Sequence, residues 1–368
     1  MKVALVYNLK KNSTSGSASG EPPPDFYAEC DDLETIEAIQ SALAEFHQVS
    51  LVEADEEAIE KLRADRPDVV FNVAEGLWGA AREAQFPALF ELLRLPYTGS
   101  DPVTLALCLD KSRTKEILGA HGIPTPQFRI AESVDDLRRI VASHGALPAP
   151  GKPVLKFPLI VKPLSEGSSK GIVNSSVVRN ESELASEINR VLSLYHEPAI
   201  VEEFLPGREF TVALIGNGDD LRVLPIVEIL FDSLPPGAHP IYSFEAKWVW
   251  DTSDKPLEIF RCPATVDADL ELDIESVCLR AWDALRLRDW ARIDVRCDAS
   301  GRPQVIEVNP LPGILPQPEQ NSCFPKAARA AGLSYNATVR RILDSACARL
   351  GLGARGGAVA PPAHFSLR

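Results

Sequence analysis

Three short apolar runs in the first hundred residues, each followed by a segment of helical spacing, confine the start of this 368-residue chain to a parallel α/β layer. Val3-Ala-Leu-Val-Tyr7, residues 49–52 and Pro67-Asp-Val-Val-Phe-Asn72 read as strands. Leu33, Ile36, Ile39, Leu43 and Phe46 recur at helical intervals, and residues 56–65 and 83–93 read as two further helices. Helical crossovers place successive strands parallel and cover both sheet faces. Ligand loops in such a layer lie at the carboxyl ends of its strands, and residues 72–81 form one of them.

The rest of the chain is mixed. Residues 104–121 read as one helix stopped by Gly122 and Pro124. Strands are expected at 159–162, 171–178, 199–204, 209–231 and 241–262, with a loop at 233–240 between the last two. Helices are expected at 181–194, 269–285 and 327–350, and a hairpin at 291–309. Residues 11–24 form a Ser/Gly/Pro-rich loop, 144–158 a Pro/Gly-rich insertion, and 351–368 a flexible tail. These elements divide into an N-terminal unit at 1–103, a central unit at 104–205 and a C-terminal unit at 206–350.

The formal net charge of −14 repels phosphate backbones, so no nucleic-acid partner is expected. The longest apolar runs fall short of a membrane span, which needs about 18 residues. The N-terminus carries no signal-like apolar region, and the expected location is cytoplasmic. Seven cysteines without a C-x-x-C spacing point to reduced structural thiols.

The expected hairpin carries the first chemistry. If it turns between Ser300 and Gly301, Ile293 faces Val308 and Val295 faces Ile306 on one side. Asp294 then faces Glu307, and Arg292 faces Asn309, on the other. Opposed carboxylates repel unless a cation lies between them, and Asp, Glu and Asn oxygens suit Mg²⁺. The alternative is a solvated polar face compensated by Arg292 or Arg296. The loop Pro310-Leu-Pro-Gly313 offers a backbone N–H to an oxyanion, or is simply a turn.

A second feature is Leu159-Ile-Val-Lys162-Pro163 followed by Ser165-Glu-Gly-Ser-Ser-Lys-Gly171. Glycine and serine let backbone donors approach a ligand, although the spacing is not that of a P-loop, and the plainer reading is a hairpin loop without function. Lys162, at the end of an apolar strand, needs an anion. Lys111 has an alternative reading as helix surface charge.

Together these segments resemble the ATP-grasp superfamily and, within it, the D-alanine–D-alanine ligases. The matching text spans most of residues 67–345. It includes Leu95-Pro-Tyr-Thr-Gly-Ser100, Leu109-Asp-Lys111, Ile160-Val-Lys-Pro163, Glu166-Gly-Ser-Ser169, Val201-Glu-Glu-Phe-Leu205, Glu209-Phe-Thr-Val212, Glu245-Ala-Lys247, Arg292-Ile-Asp-Val295 and Glu307-Val-Asn309. The resemblance implies an α/β ATP-grasp fold in which two α+β subdomains clasp ATP beside an N-terminal parallel domain. It implies that Lys111, Lys162 and Lys247 contact phosphates, that Glu202 and Leu205 lie along the adenine, and that Glu209 binds the ribose. Asp294, Glu307 and Asn309 would hold two Mg²⁺ ions, with Mn²⁺ as a substitute. Arg292 and the Gly313 N–H would stabilise the acyl phosphate and the tetrahedral intermediate, and Ser168 and Ser169 would lie on a closing loop. The implied reaction is ATP-dependent ligation of a carboxylate and an amine from small amino-acid or peptide substrates. A homodimer is a further family expectation.

The first-substrate half departs from that family. Residues 8–16 do not align with its Gly-rich loop and glutamate. Glu75-Gly76 stands where the family has His-Gly, Trp248 where it has tyrosine, and the segment between Gly313 and Ser322 is longer. Glu75 is therefore expected to recognise an ammonium group, with pairing to Arg82 or capping of the loop as the plainer reading. Trp248 and Ser322 join it as candidate substrate contacts. The alternatives in function are an amino-acid or peptide ligase outside peptidoglycan synthesis, and a non-catalytic ATP-binding regulator.

Overall fold

The computed structural model describes residues 1–10, 23, 25–76, 78–141, 154–250 and 257–352; for Trp248 it describes the backbone alone. The calls on 11–24, 144–158 and 351–368 therefore fall wholly or largely outside the described residues.

The N-terminal layer follows the expected rhythm. Strand β1 (Lys2–Tyr7), helix α1 (Leu33–Ala44), β2 (Gln48–Glu53), α2 (Ala58–Asp65), β3 (Val69–Val73) and α3 (Gln85–Leu93) build a parallel sheet of order β2-β1-β3. Alternation along β1 sends Val3 and Leu5 against Ile36, Ile39 and Leu43. Ala4 and Val6 point the other way, against Leu62 and Phe90. Both faces are thus buried, as a parallel sheet requires.

The expected helix at 104–121 is two helices, α4 (Pro102–Leu109) and α5 (Lys111–Ala120). Asp110 breaks it with extended backbone, and its side chain caps α5 by accepting from the Ser112 and Arg113 amides. The cap aims the first residue of α5, Lys111, inward. A four-stranded antiparallel sheet follows, of order β4-β7-β5-β6: β4 (Phe128–Ala131), α6 (Leu137–Ile140), β5 (Leu159–Pro163), β6 (Val177–Val178), α7 (Glu181–Tyr195) and β7 (Ala199–Glu203). The strand expected at 171–178 shrinks to β6, because residues 174–176 coil into a 3₁₀ turn.

The third sheet runs β11-β10-β8-β12-β13, with β9 also on β8: β8 (Glu209–Ile215), β9 (Arg222–Val223), β10 (Val227–Ile229), β11 (Phe260–Arg261), α8 (Ala268–Leu285), β12 (Trp290–Cys297) and β13 (Pro303–Asn309). Only two residues of the expected strand at 241–262 are in β11, and Glu245–Trp250 form a π-helical turn instead. The helix expected at 327–350 is α9 (Cys323–Ala330) and α10 (Tyr335–Leu350), separated at Gly332, whose φ is 84°. Helix α10 packs against α1 and so closes the core under the N-terminal sheet.

All seven cysteines are free. Among the described residues no helix is long and apolar enough to cross a membrane.

Candidate active site

One cavity of about 470 Å³ is lined by the ends of all three sheets and by the loops that leave them. Fifteen side chains or backbones named from the sequence line it: Lys111, Lys162, Ser168, Ser169, Glu202, Leu205, Glu209, Lys247, Arg292, Asp294, Glu307, Asn309, Gly313, Ser322 and Glu75. Trp248, the remaining one, has its side chain outside the described residues.

The cations at strand and helix ends are buried and paired. Lys162 Nζ lies 2.8 Å from Glu202 Oε2, and Lys115 Nζ lies 3.0 Å from Glu202 Oε1. Burial alone would raise the Glu202 carboxyl, but the two ammonium groups hold it down to about 2. Lys111 is not surface charge: it is 5% exposed, 2.9 Å from Glu307 Oε1, and also donates to the Glu166 carbonyl. Lys115 was missed in the sequence. It stands four residues after Lys111, hence on the same face of α5, and that spacing is the signal that would have found it.

Pairing of β12 with β13 brings Asp294 opposite Glu307 and Arg292 opposite Asn309, as expected. The register then slips: Val295 pairs with Val305 rather than Ile306. The bulge leaves Ile306 unpaired and on the cavity beside Glu307, while Val305 takes the core position. The Ile306 carbonyl, released from the ladder, accepts from Lys115 Nζ at 3.2 Å. Arg292 forks onto Asp294 (3.0 and 2.9 Å), and Asn309 Nδ2 donates to Asp294 Oδ2 at 3.2 Å. Arg296 instead reaches Glu209 at 2.6 Å.

Two carboxylates and one amide on facing strands are a hard-cation donor set. Burial favours a neutral Glu307, yet Lys111 outweighs it and keeps the group anionic. The residues therefore fit a divalent ion, and Lys111 and Arg292 pair with the same two carboxylates.

Beyond β13 the segment returns on itself. Ser322 Oγ donates to the Gly313 carbonyl and accepts from the Leu315 amide, each at 3.3 Å. Lys247, on the π-helical turn, donates to Ser168 Oγ at 3.4 Å. Burial and the neighbouring Arg292 charge lower its ammonium to about 8.

The glycine/serine loop is held from a direction the sequence did not indicate. Ser168 and Ser169 adopt left-handed backbone, at φ 50° and 60°. Ser169 Oγ donates to the Tyr242 carbonyl at 2.9 Å. The N-terminal segment 25–30 crosses this loop. Glu29 accepts from the Gly167 amide (2.7 Å) and pairs with Arg82 (2.8 Å) and Lys170 (3.0 Å). Asp25 accepts from the Gly171 amide (2.9 Å) and the Tyr195 hydroxyl (2.6 Å). Arg82 also donates to the Ser165 carbonyl at 2.8 Å and pairs with Glu166. Its guanidinium contacts Glu29 and Glu166 at ion-pair distance, and acts on Glu75 through its charge. The Gly76 amide at that loop is fixed by Asn8 Oδ1 at 3.0 Å.

Comparison with known proteins gives a consistent picture. The family model described as D-ala D-ala ligase C-terminus matches residues 117–344. A protein of Sinorhizobium fredii, the uncharacterized y4sG, is 32% identical over 94% of this chain and 97% of its own. D-alanine–D-alanine ligases of Chromohalobacter salexigens and Bordetella avium are 35% and 33% identical, over 77% and 87% of this chain and 79% and 90% of theirs. Among solved structures, a D-alanine–D-alanine ligase of Bacillus anthracis complexed with ATP matches 96% of this chain and 100% of its own at a TM-score of 0.64 and 22% identity. The VanG D-Ala:D-Ser ligase of Enterococcus faecalis matches 94% of this chain and 99% of its own at 0.67 and 20%.

Proposed function

The chain belongs to the D-alanine–D-alanine ligase family, and from that premise we propose that it is an ATP-dependent ligase joining the carboxylate of one amino-acid or peptide substrate to the amine of another. The observation that carries this reading is the convergence in one cavity of the buried Lys111 and Lys162, the half-buried Lys247, Arg292 and the opposed carboxylates Asp294 and Glu307.

The substrate carboxylate takes the γ-phosphoryl group of ATP, giving an acyl phosphate and ADP. The second substrate's amine then attacks that carbonyl, and the C–O bond to phosphate breaks as inorganic phosphate leaves. Asp294, Glu307 and Asn309 would hold Mg²⁺, or Mn²⁺ in its stead, which neutralises phosphate charge when bound. Lys111, Lys162 and Lys247 supply fixed positive charge to the same phosphates. Lys115 keeps Glu202 ionised and Lys162 in position. The adenine would lie along Glu202 and Leu205, with Glu209 at the ribose. Arg292 and the Gly313 N–H face the developing oxyanion, and Ser168 and Ser169 close the site against water. Such an enzyme works in the cytoplasm, where ATP is abundant, and the family's homodimer is the expected assembly.

The test is Mg²⁺-dependent phosphate release from ATP with D- and L-amino acids supplied singly and in pairs, products being read by mass spectrometry. A coupled product with stoichiometric phosphate supports the reading. Arg292→Met should then lower kcat by about 10²-fold or more, since an oxyanion partner is lost, while ATP affinity holds. Nucleotide binding with no release across the panel would overturn it.

A further inference from the structure

The cavity carries negative charge that the ligation chemistry does not use. Glu75, Asp31 and Glu83 line it where the N-terminal sheet and segment 25–32 meet it. Glu83 is only 9% exposed, and no described side chain lies at ion-pair distance from its carboxylate, Arg82 acting on it through charge alone. Nor does one lie at ion-pair distance from the side chains of Glu75 and Asp31. Nearby cations are already committed. Arg82 and Lys170 both pair with Glu29 and Glu166, two charges against two. Lys111 pairs with Glu307.

The electrostatic consequence is visible in each carboxyl. Burial, then the charge of Glu83, raises Glu75 well above the usual range. Burial lifts Glu83 to about 8, with Arg82 opposing and Glu29 adding, and burial beside Asp32 lifts Asp31 to about 7. Uncompensated buried carboxylates are costly unless something binds them. Three carboxyl groups with no described cation at ion-pair distance outnumber the single positive charge of an α-ammonium.

Taking the ligase reading as its basis, we propose that Glu75, Glu83 and Asp31 form a subsite for a cationic amino-acid substrate, one bearing a side-chain amine or guanidinium in addition to its α-ammonium. A second positive charge on the substrate would meet carboxyl groups that an α-ammonium alone leaves without a partner. A neutral side chain would bury a carboxylate without a partner, which is the basis of discrimination here. Arg82 acts as a positioning residue: it holds the loop on which Glu83 stands by tying it to Glu29, Glu166 and the Ser165 carbonyl.

The experiment is isothermal titration of the full chain, with and without a non-hydrolysable ATP analogue and Mg²⁺. The probes are both enantiomers of arginine and of citrulline, which has the same length but no side-chain charge, with lysine and ornithine added. Arginine or another cationic probe should bind at least about tenfold more tightly than citrulline. Glu83→Gln and Glu75→Gln should bring that ratio close to one. Both variants remove repulsion, so both should melt at or above the wild-type temperature, which separates a specificity effect from misfolding. Equal affinity for arginine and citrulline, a preference untouched by both variants, or no binding of any cationic probe would each overturn the subsite. Phosphate release distinguishes the two readings. Release with neutral amino acids alone leaves the ligase and defeats the subsite, whereas cationic preference without release from any pair leaves the subsite and defeats the ligase.

Discussion

At the scale of single residues, the site is governed by how each buried charge is compensated. Glu202 neutralises two ammonium groups at once and is 1% exposed. Glu202→Gln would leave Lys115 and Lys162 buried without a counter-charge, at a cost of about 3–5 kcal/mol. Urea denaturation at pH 7 should show that loss as a lower midpoint with an unchanged slope. Glu83 acts in the opposite sense. Its folded value, near 8, lies above the ordinary carboxylate value of 4.5. The folded state therefore holds a proton that the unfolded state has released between those two values, and stability falls as pH rises from about 5 to 8. Glu83→Gln should flatten that part of a melting-temperature profile, and a profile identical to wild type would contradict the assignment. The sequence made Asp294 and Glu307 legible because strand alternation is local and has period two. It could not reveal Glu29, whose partners Arg82 and Lys170 stand 53 and 141 residues away. The N-cap Asp110 lay within reach, since Asp followed by Lys-Ser inside a helical run is a restart signal.

At the scale of elements, loops with special backbone decide where the cavity wall stands. Gly76 has φ 77°, and a Cβ there would overlap the Arg82 carbonyl. Backbone atoms cannot move aside as a side chain's end can. Gly76→Ala should therefore cost about 2–4 kcal/mol and weaken every ligand of the Glu75–Glu83 wall. Gly301, in the hairpin turn, has φ 83° but nothing within 4 Å of its Cβ. Gly301→Ala meets only the left-handed penalty, about 1–2 kcal/mol. Guanidinium denaturation of the two variants checks the difference, and equal losses would show that backbone angle, not the overlap, sets the cost at Gly76. The bulge at Ile306 and the π-helical turn at Glu245–Trp250 mark the limit of pattern reading among these elements. Apolar alternation is the same with or without an inserted residue. Aromatic and β-branched residues such as Val249 favour strands by propensity, whereas contacts that hold this segment come from elsewhere, including the Ile172 carbonyl on the Phe244 amide and the Asn174 amide on the Glu245 carboxylate.

At the scale of the whole molecule, the N-terminal layer and the central sheet are joined across the cavity by segment 25–30. Glu29 is the knot of that junction. It meets Arg82 from the N-terminal layer and Lys170 and the Gly167 amide from the glycine/serine loop. Burial would raise its carboxyl, but the two cations keep it down to about 2, so the contact is ionic throughout the neutral range. Its stabilisation is present above the ordinary value of 4.5 and is lost as pH falls towards 2. Glu29→Gln reproduces the neutral state at pH 7. Arg82 and Lys170 would then share Glu166 alone, and the Gly167 amide would keep only a neutral acceptor. Opening of the loop should become easier without unfolding of the sheets. Hydrogen exchange at the Gly167 amide should quicken by about tenfold or more, the equivalent of about 1.4 kcal/mol, while amides of β12 and β13 keep their protection. Exchange that rises equally in the hairpin would mean that Glu29 holds the fold as a whole. An unchanged rate at Gly167 would mean that Asp25, through the Gly171 amide and Tyr195, holds the loop by itself.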